Sequence, residues 1–285
     1  MHVRNGGLTL NVVEDGDPAG TPIVLLHGIT SSIRTWAWIV PELADRFRVL
    51  RLDFRGHGRS DRAPGEYAPA GYVSDAVAVL THVGRPCVVI GHSLGGGTAA
   101  ALTQQRPDLV AGAVMEDPPL GPPSAGGTAS LEGNALLDGF RLMRQAIPQL
   151  QESEMSLEAL IGMLAATPDT NGAGTLGEVL HPDGVEAMAV GLLEVDATVL
   201  DPVLTGGIPS FLDPATPFGA RSLIVIADPA KPDAVGDPTD ARHYADLSPA
   251  VDVLVVDGAG HLIHDERASR ATFLGAVTSF LDRVV

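Results

Sequence analysis

A chain of 285 residues with 45% hydrophobic residues can bury a sizeable core, so global disorder is excluded and one large domain carrying an inserted subdomain is expected. The formal net charge of −17 argues against nucleic acid or an anionic membrane surface as a partner, and Lys231 as the single lysine among 18 basic residues reads as a coding bias rather than chemistry. Cys87 is the only cysteine, which excludes an internal disulfide and reads as a small core residue. No apolar stretch approaches the roughly 18 residues of a membrane span. The opening Met1-His2-Val3-Arg4-Asn5-Gly6-Gly7 lacks an apolar signal-peptide region, so a cytoplasmic location is expected.

In chain order, residues 2–15 predict two short strands turned at Asn5-Gly6-Gly7. Residues 22–26 predict a buried strand running into His27-Gly28-Ile29-Thr30. A helix is expected over 36–47, although Pro41 sits inside it. Residues 48–53 predict the next strand, followed by the turn-rich Arg55-Gly56-His57-Gly58-Arg59-Ser60. Apolar spacing at Val73, Ala76, Val77 and Leu80 predicts a helix over 72–83. Residues 87–90 form a continuous β-rich run suited to a strand buried on both faces, and a small-residue, helix-compatible stretch follows from Gly96. Residues 109–115 predict a further strand, ending at Glu116-Asp117-Pro118-Pro119.

The character changes at Pro118. Residues 118–134 are rich in Gly, Pro and Ser and read as a linker, and helical segments follow at 135–151, 156–166 and 184–199. The next strand-like run is 221–227, so 118–215 is expected to be a helical cap inserted into a core of 1–117 and 216–285. A helix at 239–247, a strand at 251–256 and an amphipathic helix at 268–284 complete the chain. Alternating strands and helices predict an α/β fold: a mostly parallel sheet of eight strands, helices on both faces, and an antiparallel edge from the first hairpin.

Between the strand at 87–90 and the helix after it lies Gly91-His92-Ser93-Leu94-Gly95. A Gly-x-Ser-x-Gly turn in that position is a nucleophile elbow: glycines permit the tight turn, and the helix start aims free N–H groups and a positive dipole end at a developing oxyanion. Acyl transfer by serine further needs a base, an acid that orients the base, and oxyanion donors. His261 is the best base, because it follows the strand at 251–256 through the loop Asp257-Gly258-Ala259-Gly260.

With His27-Gly28, Asp53-Phe54-Arg55-Gly56-His57-Gly58-Arg59-Ser60 and Gly258-Ala259-Gly260-His261 added, the chain resembles an α/β-hydrolase-fold serine hydrolase over nearly its whole length. The resemblance implies Ser93 as nucleophile and His261 as base. It also implies an oxyanion hole of backbone N–H groups from Leu94 and from Ile29, beside Gly28. The acid departs from the commoner family pattern. After the strand at 221–227 its slot falls on Ala230 or Lys231; Asp228 comes early and Asp233 is displaced by two prolines. The end of the strand at 109–115 instead carries Glu116 and Asp117, and Asp117 stands where haloalkane dehalogenases and zearalenone-type macrolactone hydrolases carry their acid. Asp117 is the favoured acid, with Glu116, Asp228 and Asp233 as alternatives. Its task is to accept the Nδ1–H of His261 and fix the tautomer.

The other histidines read as structural: His27 and His57 belong to turns, and His92 packs beside the nucleophile. His264 makes His-x-x-His with His261 but finds no third ligand in the sequence, so no metal is expected, and the absence of nucleotide motifs predicts no cofactor. Phe140, Met143, Met155, Met163 and Met188 are candidates for an apolar pocket wall. The expected partner is a small molecule, an apolar ester or lactone cleaved through an acyl-enzyme. The alternatives are carbon–carbon bond hydrolysis, cofactor-free perhydrolysis, or a weakly catalytic ligand receptor. A serine in place of aspartate at the elbow argues against dehalogenase or epoxide hydrolase chemistry. The oligomeric state stays open, a homodimer included.

Overall fold

The computed structural model describes residues 1–121, 135–206 and 212–285. Eight strands build one sheet: β1 (His2–Asn5), β2 (Leu8–Gly16), β3 (Thr21–Leu26), β4 (Phe47–Leu52), β5 (Cys87–His92), β6 (Val110–Glu116), β7 (Ser222–Ile226) and β8 (Val251–Val255). Their spatial order is β1-β2-β4-β3-β5-β6-β7-β8. The pairings β1–β2 and β2–β4 are antiparallel and all the others parallel. β5 lies centrally, and each of its residues is buried, which is why its sequence is continuously apolar rather than alternating.

The period-two geometry of the strands divides the core into two layers. Ile23, Leu25, Val88, Ile90 and Val114 face one side, where Trp36, Phe273 and Phe280 cover them. Val24, Leu26, Val89, Ala113 and Met115 face the other. The first layer carries the short helix α1 (Val40–Leu43) and, at the far end of the chain, a helix over Arg270–Val284. The second carries α2 (Pro69–Val83) and α3 (Leu94–Gln105).

Between β6 and β7 the chain forms α4 (Ala135–Glu152), α5 (Leu157–Ala165), α6 (Leu176–Val179), α7 (Pro182–Glu194) and α8 (Asp201–Gly206). Phe140, Ile147, Leu192 and Leu200 of this stretch join the buried cluster that contains Leu26 and Met115. α7 is tied to the sheet on two sides. Gly191 packs so closely that a Cβ there would meet the carbonyl oxygen of Thr30 at 2.6 Å. The N–H of His181 donates to the Asp265 carbonyl (2.9 Å), and Arg270 bridges Asp183 and Asp265. After β7 come α9 (Pro238–Leu247), β8 and the terminal helix, α10 (Arg270–Val284).

Three elements differ from the sequence reading. The helix expected over 36–47 is a 3-10 turn at Ile33–Trp36 followed by α1, and Phe47 already opens β4. Pro41 lies in the first turn of α1, where its missing N–H costs nothing, so it starts a helix rather than interrupting one. The helix expected over 184–199 ends at Glu194; Val195 is extended, and the Asp196 carboxylate caps a new 3-10 turn at Ala197–Leu200. α6 was not anticipated, although Thr175-Leu176-Gly177-Glu178 spells a capping box that both side chains complete. The Gly/Pro/Ser-rich linker falls mostly on 122–134, outside the described residues. No helix among the described residues is long and apolar enough to cross a membrane.

Candidate active site

Ser93 sits at the junction of β5 and α3 with φ 52° and ψ −114°, a backbone conformation unusual for a residue with a side chain. Its neighbours explain how it is held. A Cβ on Gly91 would collide with the backbone of Gly95, and one on Gly95 with the carbonyl of Leu26 on β3. Both positions therefore require glycine for the helix to start so close to the sheet. The Ser93 N–H donates to the Glu116 carbonyl (2.8 Å), and its own carbonyl accepts from Gly97 (2.8 Å). Ser93 is thereby placed at the positive end of α3.

The β3–α1 loop closes on the same spot. A Cβ on Gly28 would lie 2.8 Å from His92 Nδ1 and 3.4 Å from Ser93 Cβ, so this backbone runs directly against the serine. Two neutral histidines brace the loop. His27 donates from Nδ1 to the Gly28 carbonyl (2.7 Å) and accepts at Nε2 from the Phe54 N–H (3.1 Å). His57 donates to the Arg55 carbonyl (2.9 Å) and accepts from the Thr30 N–H (3.3 Å). Burial lowers His27 to about 4 and His57 to about 3, so both stay uncharged. Asp53 accepts from Asn11 Nδ2 and from the N–H groups of Ile33 and Arg59, and Arg55 is clamped by the buried carboxylate of Asp75 (2.7 and 2.9 Å). Asp75 carried no signal in the sequence.

His261 and Asp117 meet. Nδ1 of His261 lies 2.7 Å from Oδ2 of Asp117, and the two residues are 6% and 0% exposed. Asp117 has φ 40°, and its N–H donates to the Val225 carbonyl (2.7 Å). Its Oδ1 accepts from the N–H groups of Ala227 and Gly236 (both 3.0 Å), and its Oδ2 from that of Val235 (2.9 Å). Three backbone donors and the imidazole hold this carboxyl group in place as the acceptor that orients the ring. The loop after β7 thus reaches Asp117 with main-chain groups.

The alternative acids lie elsewhere. Asp228 accepts from the N–H groups of Ala230 (2.9 Å) and Gly258 (2.8 Å), bonds that hold its pKa low and pin the β7 loop to the His261 loop. Asp233 accepts from Asn171 Nδ2 (3.0 Å). Glu116 points away from Asp117, as adjacent strand residues do, and receives both the N–H (2.8 Å) and Nδ1 (2.8 and 2.9 Å) of His264. This second carboxylate–imidazole pair is fully buried, with Thr35 Oγ1 2.7 Å from His264 Nε2. Burial lowers the pKa of His264, but the charges of Asp265 and Glu116 outweigh it and raise the net value.

His92 links the two pairs. Its Nε2 donates to the His261 carbonyl (3.0 Å), and its ring packs against those of His261 and His264 at 4.6 and 4.9 Å. Burial, with His261 and His264 beside it, holds His92 well below its ordinary pKa. His92, Glu116 and His264 bring possible metal-ligand atoms within 4.8 Å of one another, a grouping that the His-x-x-His spacing did not reveal. Glu116 and both nitrogens of His264 are already committed to the contacts above.

Above Ser93 lies a pocket whose floor also includes Ile29 and Leu94. Tyr67 and Tyr72 form one wall, Leu136 and Phe140 of α4 another, and Val199 and Val203 close it. Leu136 and Phe140 are four apart and so share a helix face. Of the five Phe and Met residues expected to line it, only Phe140 does so among the described residues. Met143 and Met188 pack partly buried against the core, whereas Met155 and Met163 are 40% and 49% exposed. Met155 lies in the irregular stretch before α5, and Met163 lies on a face of α5 that no described residue covers fully. No Lys, Arg or His lines the pocket among the described residues, and 122–134 and 207–211 contain none.

A parallel-sheet fold that presents a serine on a strained strand-to-helix turn, below an inserted helical segment, has the architecture of an α/β hydrolase. The profile of the Alpha/beta hydrolase family matches residues 23–273, and the chain belongs to that family. A 2-(acetamidomethylene)succinate hydrolase of Mesorhizobium japonicum is 27% identical over 279 residues, covering 97% of this chain and 93% of the relative. An sn-1-specific diacylglycerol lipase of Mus musculus is 28% identical over 276 residues, covering 94% and 83%. The fold also matches the enol-lactonase of Burkholderia xenovorans, with a TM-score of 0.70 at 19% identity over 99% of this chain and 100% of that one.

Proposed function

We propose that this hydrolase cleaves a carboxylic ester or lactone of a neutral, largely apolar small molecule through an acyl-enzyme on Ser93. His261 Nε2 takes the Ser93 hydroxyl proton as Oγ attacks the substrate carbonyl carbon. Asp117 holds the other ring nitrogen protonated and stabilises the imidazolium. The N–H groups of Ile29 and Leu94 receive the negative oxygen, aided by the α3 dipole. Collapse breaks the carbon–oxygen bond to the leaving alcohol, which takes the proton from His261; water then repeats the sequence on the acyl-enzyme. In a lactone the alcohol stays attached to the acyl group.

The observation that carries this reading is that, among the described residues, the pocket lining that includes Ser93 is uncharged and largely apolar. A succinate, as in the name of the Mesorhizobium relative, brings two carboxylates whose burial calls for cationic partners, and this pocket offers none. A lipid ester, as in the name of the mouse relative, makes no such demand. The helices over 135–206 serve as the cap: α4 and α8 supply pocket wall, and α7 anchors the segment on the β3–α1 loop. The test is incubation with a fluorophosphonate, which should add a single label, together with turnover of p-nitrophenyl esters. Ser93→Ala should lose both. Persistence of either in that variant refutes the assignment.

A further inference from the structure

Apart from Ser93, the only side-chain polar atoms among the described pocket-lining residues are the hydroxyls of Tyr67 and Tyr72. They differ in kind. Tyr67 is spent on the structure: its hydroxyl accepts from the Ala63 N–H (2.8 Å) and donates to Asp196 Oδ2 (2.7 Å), which binds the loop before α2 to the inserted segment. Tyr72 is 2% exposed, and its hydroxyl is buried with no hydrogen-bond partner among the described residues. Its ring is held edge-on against Phe54 at 5.3 Å and against His57 at 6.1 Å, so the hydroxyl does not wander.

A buried hydroxyl without a partner is destabilising, and native structures keep such groups mostly where something else completes them. We propose that Tyr72 donates a hydrogen bond to an acceptor oxygen borne on the hydrocarbon part of the substrate. The site therefore selects esters or lactones whose chain carries a ketone, ether or comparable oxygen over plain alkyl ones. This rests on the reading of Ser93 as the nucleophile of an ester hydrolase and narrows its substrate class. Burial, reinforced by Tyr67 and Asp75, raises the Tyr72 pKa, so the phenol keeps its proton and acts as a donor. Were a substrate oxygen to reach this buried donor, it would discriminate strongly, because an oxygen-free chain leaves it unpaired while an oxygen placed elsewhere loses its own hydration.

The experiment compares the wild type with Tyr72→Phe, which removes one oxygen and keeps the ring. The substrates are p-nitrophenyl octanoate and a series of its oxo derivatives with the ketone moved along the chain. The wild type should favour at least one oxo position over the plain ester. Tyr72→Phe should lose roughly 10- to 100-fold of the wild type's kcat/KM preference for that ester over plain octanoate, the worth of one well-placed hydrogen bond. An equal change for every ester, or no change for any, overturns the proposal. The melting temperature supplies a second check. Tyr72→Phe should melt at or above the wild type, and a marked fall would mean the hydroxyl has an internal partner, which also overturns it. Fluorophosphonate labelling separates the two readings. If both proteins label at Ser93 and selectivity is unmoved, only the role of Tyr72 falls; if neither labels, the ester hydrolase reading falls and takes this one with it.

Discussion

Asp117→Asn exchanges one carboxylate oxygen for an NH2 group at a position where every lone pair faces a donor. With the NH2 at the Oδ1 site, the N–H groups of Ala227 and Gly236 both lose their acceptor. With it at the Oδ2 site, only the Val235 N–H is orphaned, because the imidazole can present a bare Nδ1 to the amide. The second arrangement wins, and one orphaned N–H costs about 1–3 kcal/mol of stability. That is a fraction of the 5–15 kcal/mol typical of a domain, so the variant folds. Its chemistry suffers far more. A bare Nδ1 puts the proton on Nε2, which then cannot accept from Ser93, and the imidazolium loses its counter-charge. A fall in kcat of about 10⁴-fold is expected, as for the same exchange in a serine protease triad, or about 5 kcal/mol in the barrier. Steady-state hydrolysis of a p-nitrophenyl ester, with urea unfolding beside it, reads both quantities. The reasoning is refuted if Asp117→Asn keeps more than about a tenth of wild-type kcat, or if Asp228→Asn, which touches only the Ala230 and Gly258 N–H groups, loses as much.

Other consequences follow from burial. His27 and His57 are lowered to about 4 and about 3, whereas the unfolded chain protonates histidine near about 6.5. Their contribution to stability is therefore complete above about 6.5 and is lost as pH falls towards 4. His57→Asn should show a shallower decline in melting temperature over that interval, and an unchanged slope would contradict the burial argument. Phe140→Leu should shift kcat/KM between short and bulky esters by roughly tenfold, whereas Met163→Ala, on the exposed side of α5, should stay within about twofold. Amide hydrogen exchange should be faster in α5 than in α7, whose turns are tied to the β3–α1 and β8–α10 loops; equal protection would count against an anchored cap.

The parallel core was legible because strands buried on both faces leave unbroken apolar runs, as over 87–90 and 221–227. Ser93 and His261 stood out because flanking glycines and a position after a strand are visible in one dimension. Asp117 required a resemblance, since its adjacent rival Glu116 has the same chemistry and only strand alternation turns the two apart. Other features left no such trace. The three backbone donors to Asp117 have no residue-type signature. The Glu116–His264 pair joins positions far apart in sequence at the C-terminal end of β6. The methionines of the inserted segment share composition with pocket linings, but composition does not say which side of α5 is covered. Pro41 misled because a proline inside an expected helix and one that begins a shorter helix look alike.

Since the loop after β7 serves Asp117 through main-chain N–H groups, the identity of most of its side chains is free to drift while its path is not. Ala230, Lys231 and Pro232 could be exchanged among relatives with little effect on the acid. An inserted or deleted residue between 227 and 235, or a proline at 235, would remove a donor outright. Gly236 is the exception, because a Cβ there would come within 2.8 Å of Asp117 Oδ1. For the three main-chain donors to Asp117 the constraint therefore falls on loop length and a single glycine, beside the Asp228 side chain that ties the loop to Gly258, and a search for residues supporting Asp117 by side-chain type would pass over them.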